Sequence, residues 1–184
     1  PEATFAIPFG HIRRKTDGHE DVMTNWCDLT GQDGGTTVLN DCKHAADVQN
    51  GTIRLTLVRS SYDPDPTPDI GRHRVRYAVL PHAGALDPAV ATRAAAEFNQ
   101  PLEAVVTPAA GPTGPSLPGE WAGCSVLPAN VVVTGFKRAE DGNGTVIRAY
   151  ECTGKRVDAT ITLGFRASEA SEVDLVERPR SASA

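Results

Sequence analysis

Residues 156–164, RVDATITLG, set Val157, Ala159, Ile161 and Leu163 against Asp158, Thr160 and Thr162 at alternate positions. A period of two is that of a strand with one face buried and the other in water. The pattern recurs in TIRLTLVRS (52–60), where Ile53, Leu55 and Leu57 oppose Arg54 and Thr56. In RVRYAVL (74–80) it predicts Val75, Tyr77 and Val79 inward and two arginines outward. VVVTGFKRA and TVIRAYE flank EDGNG (140–144), a hairpin loop, and Asn50-Gly51 joins AADVQ to TIRL as a tight hairpin turn. SEVDLVE (171–177) predicts a final strand, and shorter strands are expected around Phe5–Phe9 and near Trp26.

One helix is predicted, in LDPAVATRAAAEFNQP, with Asp87 as N-cap, Pro88 at the first helical position and a stop before Pro101. Residues 60–71 and 107–120 are Pro/Gly-rich and read as loops. Strands spaced by turns, with one short helix, predict a mainly β chain: an antiparallel β-sandwich forming a single domain over residues 1–184.

A net charge of −5 argues against a nucleic-acid partner, which would need a basic face. No apolar run approaches the roughly 18–20 residues that span a bilayer, so no membrane role is expected. No signal peptide is visible, and a chain that begins with Pro1 rather than Met is expected to be a fragment. The spacing of Cys27, Cys42, Cys124 and Cys152 matches no zinc motif. Four reduced thiols in a cytoplasmic protein are expected, with two disulfides in a secreted one as the alternative.

Cys42 and His44 would share a strand face, a spacing compatible with a nucleophile and its base but equally with a packed thiol and a solvated imidazole. The five histidines are scattered, so no metal site is expected, and His82 reads as a loop-positioning residue. Asp63, Asp65 and Asp69 crowd one proline-stiffened loop. Trp26 and Trp121 are positions where a sugar could stack, against the plainer expectation that they pack in the protein. No catalytic constellation emerges from the residues alone.

The order of segments carries more. FAIPFGHIRR opens the chain; TVLNDCKHAADVQNGTIRLTLVRSSYDPDP, HRVRYAVLPHAG, a helix ending EFNQPL, VVVTGFKRAEDGNGTVIRAYE and DLVERP follow. The series resembles the C-terminal β-domain of the family-38 glycoside hydrolases, the α-mannosidases, over about residues 5–179. That family has the same signposts in the same order: an IPFG lead-in, an LLND-K-GYD strand, an LRLSLLR strand before an acidic loop, a Y-L-PH-G strand, a K-AEDG hairpin and a terminal ERP. The chain departs from it at His44-Ala45, where the family has an aromatic-glycine pair, and in the loop between helix and hairpin.

The resemblance implies a non-catalytic domain of a zinc-dependent retaining α-mannosidase, a glycosidase of mannose metabolism. Its catalytic barrel, with the zinc ligands, and its helical bundle lie outside this chain. The implied partners are those two domains and, through the whole enzyme, an α-mannoside. No catalytic residue, metal ligand or cofactor is expected in this chain. The positions expected at the substrate rim are Asn40, Asp41, Arg59, Asp63, Asp65 and Arg72. An autonomous carbohydrate-binding β-sandwich module is the alternative, and an unrelated enzyme using Cys42 and His44 a third possibility.

Overall fold

The structure, a computed structural model, describes residues 1–106 and 118–180. The described residues fall into two compact units: Pro1–Leu102 with Cys152–Gly154, and those of Glu103–Glu151 and Lys155–Ala184. Most of the Pro/Gly loop expected over 107–120 lies outside the described residues.

The first unit contains strands β1 (Glu2–Ile7), β2 (Gly10–Arg14), β3 (Asp21–Val22), β4 (Trp26–Thr30), β5 (Gly34–Asn40), β6 (Ala45–Gln49), β7 (Thr52–Leu55) and β8 (Tyr77–Ala83), and helix α1 (Pro88–Asn99). Five strands form one antiparallel sheet in the order β2-β1-β4-β5-β8, and three form a second in the order β3-β6-β7. Alternation then decides which side chain meets which layer. Ala3 and Phe5 of β1 and Cys27 of β4 pack with Met23, Ala46 and Val48, and with Ile53 and Leu55 of the smaller sheet. Ala6, Trp26 and Leu39 point the other way and pack on Ala91 and Ala95 of the helix. The large sheet is thus covered on one face by a second sheet and on the other by α1.

Local chemistry explains each connection. Asp87 caps α1 by accepting from Ala89 N at 2.9 Å, Pro88 supplies the fixed φ of the first turn, and Pro101 follows the C-cap Gln100. Small alanines at 91 and 95 let the helix lie close to the sheet, over the indole of Trp26. Asn50 and Gly51 both take positive φ, 52° and 76°, as a two-residue hairpin between right-twisted strands requires.

The second unit has β9 (Cys124–Leu127), β10 (Val131–Arg138), β11 (Thr145–Glu151) and β12 (Thr160–Leu163). β10 and β11 form a hairpin with an irregularity between Val133 and Gly135, and β9 pairs antiparallel with β12. Among its described residues, Val131 is the one apolar side chain that is buried. Two-stranded sheets with so little buried apolar surface gain little stability from their own packing.

Several boundaries differ from expectation. β7 ends at Leu55 and leaves Leu57 and Val58 exposed, and β12 covers only Thr160–Leu163. Residues 171–177 are not a strand: Asp174 accepts from Val176 N and Arg178 N, both at 2.9 Å, and turns the chain back so that Val173 bridges Pro179. β8 has the opposite phase to that predicted. Ala78 packs beneath α1, while Tyr77 and Val79 are 62% and 57% exposed, because β8 is the sheet edge.

Candidate functional site

Between β7 and β8 the chain runs from Thr56 to Arg76 with no regular secondary structure, and nearly every side chain in it is exposed. Prolines 64, 66 and 68 remove the N–H groups a ladder would need. Loops longer than about 12–15 residues without structure of their own are uncommon in compact domains and are commonly functional. Tyr62 and Ile70 stand 87% and 82% exposed on it.

Both ends are held. At the entry, Glu20 accepts a short hydrogen bond from Thr56 Oγ1 and pairs with Arg59 Nη1 at 2.5 Å. At the exit, Asp41 Oδ1 accepts from Arg76 N at 3.1 Å and Oδ2 from Arg76 Nε at 3.0 Å, while Asp41 N donates to Arg76 O at 3.2 Å. The Arg76 guanidinium also lies 5.3 Å from the Phe98 ring centroid, a cation–π contact onto α1. The backbone N–H of Arg76, above all, then the Cys42 thiol and the Arg76 guanidinium, hold the Asp41 carboxyl down to about 2. Inside the loop, Asp65 accepts from Thr67 N at 2.9 Å and His73 Nε2 donates to Asp69 O at 2.8 Å, so the loop is organised by its own polar groups.

The expected rim residues are therefore placed unequally. Asn40 ends β5 and is buried: its Oδ1 accepts from Lys43 N at 2.8 Å, and its carbonyl from Asn99 Nδ2 at 3.0 Å. Asp41 is the exit clamp and Arg59 belongs to the entry clamp. The side chains of Asp63 and Arg72 are exposed and make no hydrogen bond or ion pair among the described residues; Asp65 is exposed and held locally by Thr67. No hydrogen bond or ion pair joins Asn40 or Asp41 to Asp63, Asp65 or Arg72 among the described residues.

The segment NDCKH proves to be a turn rather than the strand that runs on through AADVQ, since β5 ends at Asn40 and β6 begins at Ala45. Cys42 is exposed rather than packed, and its Sγ donates a long contact of 3.9 Å to Arg74 O. The neighbouring Asp41 carboxylate raises its pKa, the opposite of activation. His44 Nδ1 donates to Thr24 O at 2.8 Å, and no hydrogen bond joins it to Cys42 among the described residues. No disulfide joins the cysteines among the described residues; burial first, then the charge of Asp28, pushes the Cys27 thiol up to about 12.

Periodicity did not single out Asp28, Glu20 or Arg76. Asp28 lies in a strand buried on both faces, and the other two act through partners far along the chain. In the second unit, Glu177 of the ERP motif pairs with Lys137 at 2.9 Å and Arg148 at 3.1 Å, and accepts from Glu140 N at 2.8 Å. Those bonds, the Glu140 N–H first, lower its pKa, while Lys137 is raised by its bonds to Glu140 and Glu177. The K-AEDG hairpin and the terminal ERP are thus one polar lock.

Comparison with known proteins agrees with this architecture. Residues 1–67 match the glycosyl hydrolases family 38 C-terminal domain, and residues 130–184 match the glycosyl hydrolases family 38 C-terminal beta sandwich domain. The chain belongs to this family: it is a family-38 C-terminal domain of the α-mannosidases. It is 35% identical over 97% of its length to alpha-mannosidase 2C1 of Homo sapiens. It is 33% identical over 83% of its length to alpha-mannosidase G of Dictyostelium discoideum. The chain spans 18% and 14% of the lengths of these curated relatives. Among the described residues no helix is long and apolar enough to cross a membrane.

The exit clamp predicts a pH dependence. A carboxyl whose folded-state pKa lies below its unfolded value stabilises fully above the unfolded one, and loses that effect as pH falls through the folded one. The thermal midpoint of the chain should therefore exceed that of Asp41→Asn by a constant gap from about pH 7 to about pH 5, shrinking as pH falls toward about 2 and closing only below it. A gap as large at about pH 2 as at about pH 5, or none at neutral pH, contradicts the clamp.

Proposed function

We propose that this chain is the non-catalytic C-terminal part of a zinc-dependent, retaining α-mannosidase, that it packs on the enzyme's catalytic portion, and that loop 56–76 completes the rim of the carbohydrate pocket. The single observation that carries the rim reading is the loop itself: long, exposed, internally organised and clamped at both ends to a packed scaffold. In this reading Asp63, Asp65 and Arg72 face the sugar, where carboxylates accept from hydroxyls and a guanidinium donates to them. Asn40, Asp41 and Arg59 hold the loop in place. The shallow burial of the second unit supports a domain that relies on further polypeptide for cover.

Among the described residues no three His, Cys, Asp or Glu side chains are grouped as zinc would require, so these residues do not fit it. We therefore assign the zinc, and the hydrolytic step, to residues outside it. The test is hydrolysis of an aryl α-mannoside by the full-length protein that carries this chain. Arg72→Ala is expected to raise KM about tenfold with kcat nearly unchanged, the loss of one charge-assisted hydrogen bond made equally in ground and transition states. An unchanged KM contradicts the rim. The 184-residue chain alone, with zinc added, is expected to show no turnover; activity that survives purification contradicts the non-catalytic assignment.

One observation favours a second reading, a carbohydrate-binding module that acts by itself. Trp121 is 64% exposed with its Nε1 held by Gly164 O at 3.1 Å. Phe136 and Phe165 form an edge-to-face pair at 6.2 Å in the same unit, and a Cβ on Gly123 would lie 3.0 Å from the Phe136 ring and 3.3 Å from the Trp121 ring. Rings fixed in this way offer a stacking surface. Trp26 is buried, so acrylamide quenching of the chain's fluorescence reports chiefly on Trp121. Protection of that signal by millimolar mannose oligosaccharides, lost in Trp121→Ala, is the outcome this second reading expects; quenching unaffected by the sugar removes it.

A further inference from the structure

Asp28 is a buried carboxylate that the proposed function does not use. It lies in β4 with 0% exposure. Its Oδ1 accepts from Thr30 Oγ1 at 2.6 Å, and its Oδ2 accepts from Thr37 Oγ1 at 2.8 Å and from His82 Nε2 at 2.9 Å. A carboxylate can only accept, so Nε2 carries the hydrogen in that contact. One carboxylate thereby joins β4, β5 and β8. The path is specific. His82 is paired with Gly35 across the β5–β8 ladder, and its ring crosses β5 to reach β4. It crosses where Gly35 has no side chain: a Cβ there would stand 2.7 Å from His82 Nε2 and 2.5 Å from Leu29 O. This glycine supplies room rather than an unusual φ.

We propose that Asp28 and His82 are a positioning pair that seats edge strand β8 on the sheet and so sets where loop 56–76 leaves it. β8 has one ladder neighbour, β5, and begins directly after the loop. The exposed Arg76–Asp41 clamp holds its first end, and the buried Asp28 with the half-buried His82 holds its last. Removing one member of a buried pair leaves the other polar group in the interior without its partner, which costs more than the pair contributes. Of the three strands that Asp28 joins, β8 alone is a sheet edge with one ladder neighbour, so the loss falls on it. The consequence for a sugar rests on the rim reading; the seating of β8 does not.

The test is native-state trypsin digestion of the 184-residue chain, followed by mass spectrometry. Arg72 lies in the exposed loop and is an internal standard; Arg76 is the loop's last residue, directly before β8 begins at Tyr77. Asp28→Asn and His82→Gln are expected to raise the ratio of cleavage at Arg76 to cleavage at Arg72 about tenfold, the effect of ~1.4 kcal/mol of easier local opening. Val48→Ala, a core deletion in β6 that lowers overall stability, is expected to leave the ratio within about twofold. Should Asp28→Asn not fold, Gly35→Ala keeps both partners and places a methyl against the ring; it is expected to raise the ratio likewise. A ratio unchanged in these variants, or raised equally by Val48→Ala, overturns the proposal. A failed rim reading would leave the ratio as predicted and appear only in the KM of the full-length protein.

Discussion

Strand β4 is covered on both faces, and the first unit is arranged to cover it. Trp26, Cys27 and Asp28 are consecutive and all buried, so the strand must find apolar partners on one side, a helix on the other and a hydrogen-bond partner for every oxygen of Asp28. The hairpin β6–β7 and Met23 close one side. The alanine stripe of α1 closes the other, where small side chains leave room for the indole of Trp26. Thr30, Thr37 and His82 satisfy the carboxylate. A polar group enclosed without such partners would cost a few kcal/mol, a large share of the stability of a domain this size.

The same constraint explains what could be read from the sequence and what could not. Where one face of a strand meets water, the alternation is legible, and β7 and part of β12 follow from it; β6, β10 and β11 follow from the turn signals beside them. The helix was legible from Asp87, Pro88 and Pro101. Two-sided burial leaves no alternation, only a run, as in Ala3–Ala6 and Trp26–Asp28, so the central strands gave a weaker signal than the peripheral ones. β8 shows the converse error. Its alternation was seen and its phase inverted, because pattern cannot tell an edge strand's open face from its covered one. Residues 171–177 alternate as a strand would, yet the side chain of Asp174 closes a turn there.

The candidate site was legible as a loop but not as an assembly. The acidic proline-rich stretch stood out by composition. That Arg59 is spent on Glu20 and Asp41 on Arg76 could not be seen, because each pair spans more than thirty residues of chain. The motif that drew attention by its reactive side chains, NDCKH, acts through its backbone and its acid. Asn40 and Asp41 tie the end of β5 to the helix and to the loop exit, while the thiol and imidazole between β5 and β6 have separate local partners. Family membership tells what kind of enzyme such a domain belongs to. The clamps give a physical account of how such a scaffold can hold out a defined surface.

A rigid, doubly covered sheet presents loop 56–76 as an open, clamped surface. Hydrogen–deuterium exchange of the chain reads this arrangement amide by amide. Amides of Ala3–Ala6, Trp26–Asp28 and Thr37–Leu39 should exchange most slowly, near the limit set by global unfolding. Amides of 57–66 should exchange at nearly unprotected rates, and those of Asp41 and Arg76 should show intermediate protection. A loop as strongly protected as β4, or a first unit that exchanges uniformly throughout, would contradict it.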